Sequence, residues 1–216
     1  ISLSKILKTI HNIKAVPGRF EKIGNLNNNA ITILDYAHTP DALETCILNI
    51  KEQFRFRKIN ILFGCGGDRD KYKRPLMGQI TNRLCDKIYL TDDNPRYENP
   101  NKIRSDIKKG IKKVSTEEIP NRKSAINKAI KDLKSGDLLL VAGKGHEKIQ
   151  DYGNQKLFFS DKKVILDSIK IKNKYLSKNL KLNIIDEQSH KFISKNLILK
   201  DASINSKTIK KNDIFF

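Results

Sequence analysis

The sequence predicts an α/β fold, a Rossmann-like and mainly parallel sheet with flanking helices. Four short aliphatic runs lack polar alternation, which is typical of parallel strands covered on both faces. Between these runs, apolar residues recur at helical spacing. Alternation of strands and helices in this way indicates a parallel sheet with crossover helices. The predicted strands are Ala30–Leu34, Ile59–Phe63, Ile88–Thr91 and Leu138–Ala142.

The helices follow from apolar residues spaced three or four apart, the spacing of one helix face. Gly136 stands where the C-terminal cap of the third helix is expected. Ser160 and Asp161 are candidates to cap a last helix that runs through Ile169. The three apolar series are Leu43, Cys46, Ile47, Ile50 and Phe54, then Ile103, Ile107 and Ile111, then Ala125, Ile126, Ala129, Ile130 and Leu133.

We place the α/β domain at residues 16–172. Residues 1–15 carry a helical apolar pattern and are expected to be the tail of an upstream domain. Residues 173–216 are polar and rich in Lys and Asn, with a strand-like stretch at 193–199. The chain begins at Ile1 without an initiator Met, so we expect it to be part of a longer polypeptide.

Basic residues outnumber acidic ones, 43 against 24, for a net charge of +19. Such a balance raises the alternative of a nucleic-acid or anionic-membrane partner. The basic residues are spread along the chain and are not interleaved with aromatics, so solvated faces explain them better. No apolar run approaches the roughly 18 residues of a membrane span, and none is predicted.

The three cysteines are expected to be reduced thiols in a cytoplasmic protein, because Cys46, Cys65 and Cys85 are odd in number and far apart. No zinc spacing occurs, and neither His38 nor His146 has the companions of a catalytic metal site. We therefore predict no metal site and no catalytic residue in this chain.

Each predicted strand is followed at once by a polar or glycine-rich cluster. In open α/β sheets ligands bind beyond the carboxyl ends of the strands, so the four clusters predict a ligand site at that edge. The clusters are residues 35–41, 64–75, 92–96 and 143–147.

The chemistry of these clusters indicates a zwitterionic ligand. Arg69 and Arg96 offer planar charged groups suited to carboxylates, and Glu147 offers the opposite charge for an ammonium. Asn94 adds a neutral amide on a loop that Pro95 stiffens. No G-x-x-x-x-G-K-[ST] phosphate loop occurs, so most of an ATP-phosphate site must lie elsewhere.

The clusters resemble, in order and spacing, the C-terminal domain of the Mur ligases, in particular the type that adds meso-diaminopimelate. The resemblance covers about residues 14–172, and its motifs are long. In that family Asp-Asn-Pro-Arg marks the enzymes that use diaminopimelate, whereas lysine-using relatives lack this Arg. The matching stretches are Val16–Arg19, Asp35–Glu44, Gly64–Gly78, Thr91–Arg96, Val141–Glu147 and Phe159–Asp161.

The resemblance implies two sets of binding residues. Those facing the ribose and base of ATP are Arg19, Asp35, Tyr36 and His38. Those contacting diaminopimelate are Arg69, Asp93, Asn94, Pro95, Arg96, Gly143 and Glu147.

The resemblance also implies amide-bond formation. ATP phosphorylates the D-glutamate carboxylate of UDP-MurNAc-L-Ala-D-Glu, and the diaminopimelate amine attacks the acyl phosphate. This domain orients the amine donor and closes over the nucleotide. Mg²⁺ and the phosphates belong to the family's central domain, which is absent here, so we expect the chain alone to be inactive.

The tail, residues 202–216, resembles a degenerate opening domain of a Mur ligase. The next ligase of the pathway, which adds D-alanyl-D-alanine, begins in this way, and no Met lies between positions 78 and 216. We therefore predict a covalent fusion of the two ligases, with a C-terminal extension as the alternative.

Two rival functions remain. A lysine-adding or folylpolyglutamate-type ligase is disfavoured by Arg96 and the long loop from Gly64 to Pro75. A basic nucleic-acid-binding module predicts salt-sensitive binding, but it leaves unexplained the acidic residues beside the arginines.

Overall fold

A six-stranded sheet organises the part of the chain that contains the predicted site. The computed structural model describes residues 4–5, 16–179, 202–203 and 214–215. It divides into two compact units, Ile1–Ile169 and Lys170–Phe216, which are described separately.

The strands and helices alternate as predicted. The strands are β1 (Glu21–Lys22), β2 (Ile31–Asp35), β3 (Ile59–Phe63), β4 (Lys87–Leu90), β5 (Ser115–Glu118), β6 (Leu138–Ala142), β7 (Ile149–Asp151) and β8 (Lys156–Phe158). The helices are α1 (Pro40–Gln53), α2 (Lys73–Leu84), α3 (Pro100–Lys108), α4 (Arg122–Asp132) and α5 (Asp161–Asn179).

The sheet has the order β1-β2-β6-β3-β4-β5, and all neighbours are parallel except the β1–β2 pair. Asp35 pairs with Ala142 and Phe63 with Leu90, so β2, β3, β4 and β6 end at one edge. The predicted fold class is confirmed, and the four polar clusters do follow one edge of one sheet. Strands β7 and β8 form a separate antiparallel hairpin.

Alternate strand residues build a core on each face of the sheet, as two-sided coverage requires. On one face Ile33, Ile61 and Leu140 cluster with apolar residues of α1, α2 and α3. On the other face Leu34, Leu62 and Val141 cluster with apolar residues of α4 and α5. The sheet edge is thereby held between two helical layers.

Local sequence explains where the helices begin. Thr39 Oγ1 accepts a hydrogen bond from Ala42 N at 3.3 Å, and Pro40 occupies the first helical position of α1. Asn99 and Asn121 cap α3 and α4 in the same way, through their side-chain oxygens. These caps fix the point at which each loop gives way to a helix.

Several local predictions were wrong. Lys73, assigned to a loop, begins α2, whose apolar signal is weak because it buries Arg74, Gly78 and Thr81 beside Met77. Helix α3 ends at Lys108, so Ile111 lies beyond it. Helix α4 ends at Asp132, and Gly136, with φ +77°, lies in the turn before β6.

Four short strands, β1, β5, β7 and β8, were not predicted, because none has an apolar run. β5 reads Ser-Thr-Glu-Glu, and it forms only because β4 offers a parallel edge. The last helix begins where Ser160 and Asp161 predicted, but it continues past Ile169 to Asn179. The predicted boundary at residue 172 therefore falls inside α5.

In the second unit, beyond the end of α5, β9 (Ala202–Ser203) pairs in parallel with β10 (Ile214–Phe215). The predicted strand at 193–199 and the predicted helical tail at 1–15, apart from helical residues 4–5, lie outside the described residues. Within the described residues, no helix has the length and hydropathy needed to cross a membrane.

Candidate functional site

The loop after β4 holds the Asp-Asn-Pro-Arg segment in a conformation fixed by its own side chains. Asn94 Oδ1 accepts from Asp151 N at 3.0 Å and from Lys144 Nζ at 2.8 Å. Asn94 Nδ2 donates to Glu147 Oε2 at 3.0 Å. The Asn94 amide therefore connects this loop with the Glu147 loop and with strand β7.

Arg96 and Arg69 flank the glycine loop after β3. Arg96 Nη1 donates to Gly67 O at 2.7 Å. A Cβ placed on Gly66 would lie 3.0 Å from Arg96 Nη1 and 3.8 Å from Arg69 Cγ. The two side chains therefore come within a few ångströms of the same glycine, and a Cβ there would be tight against Arg96 and in ordinary contact with Arg69.

Glu147 lies in electrostatic range of Arg96 and contributes the negative charge of the site. Burial alone would raise the pKa of the Glu147 carboxyl, but hydrogen bonds from Lys144 and Asn94, with the charges of Lys144 and Arg96, hold it below its ordinary value. Glu147 is therefore an anion at neutral pH. The arrangement brings Arg69, Arg96 and Glu147 into one neighbourhood.

Asp93 and Gly143 meet beneath this loop. Asp93 Oδ1 accepts from Asn94 N at 2.7 Å, and Asp93 Oδ2 lies 2.8 Å from where a Cβ on Gly143 would stand. Burial raises the pKa of the Asp93 carboxyl, against the nearby charges of Arg122 and Lys144. Asp93 shapes the loop from below, and Gly143, with φ +110°, leaves room for it.

The hairpin β7–β8 supports the same loop from the side. Gln150 Nε2 donates to Asp93 O at 2.8 Å and to Asp92 O at 3.3 Å. Arg96 N donates to Asp151 O at 3.0 Å. The hairpin thus satisfies backbone groups that the end of β4 leaves unpaired.

Three buried arginines, which the sequence reasoning missed, hold the backbone of the site. Arg74 donates to Gly66 O and to Glu98, and Arg104 pairs with Asp92 and Glu118. Arg122 donates to Ala142 O at 3.0 Å and forms two hydrogen bonds with Asp161, at 2.7 and 2.8 Å. Arg74 and Arg122 lie in the first turns of α2 and α4, and Arg104 lies in the middle of α3. Their positions in these helices were the only sequence signal for them.

A second cluster surrounds Tyr36 at the end of β2. The Arg19 guanidinium lies 5.3 Å from the centre of the Tyr36 ring, and the His38 and His146 rings lie 4.7 and 5.5 Å from it. His146 was not among the predicted nucleotide-facing residues. Its position in the polar cluster of residues 143–147, which follows β6, could have indicated it.

Asp35 organises the backbone around Tyr36. Its carboxylate accepts from Phe20 N at 2.6 Å and from Ala37 N at 2.7 Å, which joins the segment before β1 to the loop after β2. A Cβ on Gly18 would lie 2.3 Å from His146 N. Asp35 thus positions the backbone around Tyr36 through hydrogen bonds from main-chain N–H groups.

Within the described residues no group of three or more His, Cys, Asp or Glu side chains is placed to hold a metal ion. Cys46, Cys65 and Cys85 are buried free thiols, as predicted. The candidate site consists of charged and polar side chains on loops that hydrogen bonds connect to one another.

The fold and the paired charges define an α/β domain that groups charged side chains of both signs at one edge of a mainly parallel sheet. The chain belongs to the Mur ligase family: the family model described as "Mur ligase, glutamate ligase domain" matches residues 18–145. The predicted family is therefore confirmed.

Two similar Rickettsia proteins carry the enzyme name UDP-N-acetylmuramoyl-L-alanyl-D-glutamate–2,6-diaminopimelate ligase. That of Rickettsia felis is 46% identical over 172 residues, which cover 79% of this chain and 32% of the relative. That of Rickettsia rickettsii is 48% identical over 167 residues, covering 77% and 34%. The chain thus spans about a third of the length of these relatives.

A solved structure of a ligase with the same name superimposes with a TM-score of 0.67 at 34% identity, covering 79% of this chain and 35% of that one. The UDP-N-acetylmuramate–alanine ligase of Thermotoga maritima shares the fold, with a TM-score of 0.51 at 19% identity, covering 83% and 34%.

Proposed function

We propose that this chain binds meso-diaminopimelate and part of ATP within a ligase that joins diaminopimelate to UDP-MurNAc-L-Ala-D-Glu. The observation that carries the proposal is the grouping of the Arg69 and Arg96 side chains with one carboxylate, that of Glu147, around the Asp-Asn-Pro-Arg loop. The enzyme name shared by the similar proteins supports it.

The charges correspond to the ends of the ligand. Diaminopimelate carries an amino acid group at each end, whereas lysine has no carboxylate at its far end. Arg96 Nη1 donates to Gly67 O, and Arg96 Nε lies 3.9 Å from Asp151 Oδ2. Its Nη2 group is our candidate to bind a ligand carboxylate. Glu147 is suited to an ammonium. A site built from fixed charges of both signs would reject a ligand that leaves one of them unpaired.

The cluster of Arg19, Tyr36, His38 and His146 is our candidate for the nucleotide end. Aromatic and cationic side chains there can stack on a base and pair with a ribose or phosphate oxygen. ATP would supply the activation of the acceptor carboxylate. The share of this chain is to orient the amine donor beside that carboxylate and to exclude water, which is catalysis by proximity.

We place Mg²⁺ and most of the phosphate contacts outside this chain, because the described residues supply neither a metal cluster nor a phosphate loop. The proposed domain order is a tail of a central domain at 1–15 and the amino-acid-binding domain at 16–172. Substrates that are nucleotide-linked or phosphorylated favour a cytoplasmic location.

We propose that residues 173–216 connect to, and begin, a second Mur ligase that is fused to the first. The pairing of β9 with β10 is consistent with the strand-to-strand start of such a domain. Sequencing of the flanking coding region tests the fusion, and a stop codon directly after the codon for Phe216 would exclude it.

Replacement of Arg96 by Ala tests the proposed ligand. We expect calorimetry on the 216-residue chain to show meso-diaminopimelate binding weakened about 10- to 100-fold, since hydrogen bonds to charged groups contribute about 1.5–3 kcal/mol. Lysine binding should change little. The matched control is Arg55→Ala, an exposed arginine at the other end of the sheet. Equal losses for both ligands would contradict the assignment of Arg96.

The isolated chain is expected to be inactive as a ligase. A purified sample that releases phosphate from ATP when meso-diaminopimelate and the UDP-linked acceptor are added would refute this expectation. Addition of a separately produced central domain of a similar ligase is the positive control for the assay.

A further inference from the structure

Lys144 is a fully buried lysine at the centre of the site. Its side chain is 0% exposed, and its ammonium donates to Asn94 Oδ1 at 2.8 Å, Glu147 Oε2 at 2.9 Å and Ile149 O at 2.7 Å. A lysine is almost never fully buried unless it is paired. Three acceptors match its three N–H groups, so the burial is compensated and the ammonium has one fixed position.

The contacts of Lys144 join three separate segments. Asn94 belongs to the loop after β4, Glu147 to the loop after β6, and Ile149 begins the hairpin β7–β8. No other described lysine side chain is 0% exposed while holding two of the predicted ligand-binding residues. A buried group that ties recognition residues together is positioned to control their orientation.

The geometry at Glu147 is asymmetric. Oε2 accepts from both Lys144 Nζ and Asn94 Nδ2, at 2.9 and 3.0 Å. Two donors on one oxygen fix the plane of the carboxylate. The Glu147 side chain is still 32% exposed, so the residue is hydrogen-bonded on one side and remains partly accessible to solvent.

Glu147 also feels the charge of Arg96, whose Nε lies 3.9 Å from Asp151 Oδ2. Arg96 lies close enough to Glu147 to lower the pKa of its carboxyl. Asp93 and Arg122 also act on this region, and both are more deeply buried. Without an anchor, Glu147 and Arg96 could pair with each other, and each would then be lost to a ligand.

We propose that Lys144 is a positioning residue that holds Glu147 away from Arg96, so that Glu147 Oε1 is free to accept the ammonium of a bound amino acid. This inference rests on the proposed function, because it assumes an amino acid ligand between the two charges. It assigns Lys144 no contact with the ligand itself.

Replacement of Lys144 by Met tests the proposal. In calorimetry on the 216-residue chain, we expect Lys144→Met to weaken meso-diaminopimelate binding at least about tenfold. Lys148→Met removes the same charge from an exposed position four residues away, and it should change the affinity less than about twofold. Equal affinities for Lys144→Met and the unaltered chain would overturn the proposal.

A double-mutant cycle separates positioning from general loss of structure. If Lys144 acts through Glu147, then Lys144→Met should cost little further affinity in a Glu147→Gln background. The double variant buries no unpaired charge from this pair. Its affinity can therefore be compared with that of Glu147→Gln even if Lys144→Met alone fails to fold. A full additional loss in the Glu147→Gln background would show a merely structural role and overturn the proposal.

A readout without ligand distinguishes failure of this inference from failure of the proposed function. Carbon-13 NMR of the glutamate carboxyls should show the pKa of Glu147 rising in Lys144→Met and unchanged in Lys148→Met. If this rise occurs but the unaltered chain does not bind meso-diaminopimelate, the proposed function is wrong and the anchoring of Glu147 stands. If the pKa does not rise, the anchoring is wrong.

Discussion

Gly67 illustrates how single residues determine the shape of the site. A Cβ at this position would lie 1.9 Å from Pro95 O, closer than any real contact, so the glycine loop and the Asp-Asn-Pro-Arg loop touch backbone to backbone. Arg96 closes the same contact by donating to Gly67 O. The close approach therefore depends on the absence of a side chain.

We expect Gly67→Ala to destabilise the chain by more than about 2 kcal/mol, because one backbone segment must move. Gly136→Ala is the control: Gly136 has φ +77° but nothing within 4 Å of its Cβ position. Only the left-handed conformation is then penalised, by about 1–2 kcal/mol. Urea unfolding measures both values, and a smaller loss for Gly67→Ala than for Gly136→Ala would contradict the contact.

The ionisation of Glu147 gives a prediction about pH. Its pKa is lowered below the ordinary 4.5 on folding, so its stabilising interactions are fully present above pH 4.5 and are lost as the pH falls through the lower folded value. Binding of meso-diaminopimelate should therefore change little between pH 7 and pH 5 and weaken only below pH 4.5, where Glu147 becomes protonated. Calorimetry across this range tests it; a midpoint near pH 6 would contradict the assignment of Glu147.

At the scale of elements, helices α4 and α5 are joined through the buried pair Arg122–Asp161, in which both side chains are 0% exposed. Arg122 also donates to Ala142 O at the end of β6, where the loop of residues 143–147 begins. The pair therefore connects the helical layer on one face of the sheet with the edge that carries the site.

Removal of one partner should be much worse than removal of both. Arg122→Met leaves Asp161 buried without its partner and is expected to cost about 3–5 kcal/mol. Arg122→Met combined with Asp161→Leu should recover most of this stability. Thermal and urea unfolding of the two variants provide the comparison, and a double variant less stable than Arg122→Met would show that the pair does not act as a unit.

The elements also show what the sequence could predict. Strands β2, β3, β4 and β6 were predictable within a residue or two, because each is an aliphatic run buried on both faces. Strand β5 was not, since its Ser-Thr-Glu-Glu sequence has no intrinsic strand signal and depends on β4. Helix α2 was missed because it buries polar residues, which hides the apolar period.

The candidate site was also predictable only in part: the positions of its loops could be predicted, but the buried charged residues that support them could not. The four loops could be located because topology places the ends of parallel strands together. The roles of Lys144, Arg74 and Arg104 could not, because a charged residue in a loop or helix is ordinarily solvated. Only the three-dimensional packing shows that these three side chains are buried and paired.

At the scale of the whole molecule, paired carboxylates make the chain sensitive to acid. The pKa values of Glu98, Asp106 and Glu118 are lowered mainly by hydrogen bonds. The donors are Arg74 for Glu98, Lys109 for Asp106 and Arg104 for Glu118. Each contributes stability that is present above its unfolded pKa and is lost as the pH falls through the folded one. Burial raises the pKa of Asp92 and Asp93, which opposes this trend.

We therefore expect the urea concentration at the unfolding midpoint to decrease as the pH is lowered from 5 to 3. The carboxyls with lowered pKa values should outweigh Asp92 and Asp93, whose pKa values are raised. The net charge of +19 increases the effect as carboxylates are neutralised. Added salt should restore only the part due to repulsion between like charges. A midpoint independent of pH in this range would show that these ion pairs do not stabilise the fold.

Because all three cysteines are buried, the rate at which they are alkylated reports how often the fold opens. Burial raises the pKa of Cys46, Cys65 and Cys85 to about 12. In the folded domain almost none of each thiol is therefore present as the thiolate that attacks an alkylating reagent. Cys46 lies on α1, Cys65 on the glycine loop and Cys85 just before β4. Mass spectrometry of alkylation over time would therefore report, from three separate places, whether the domain opens locally or all at once.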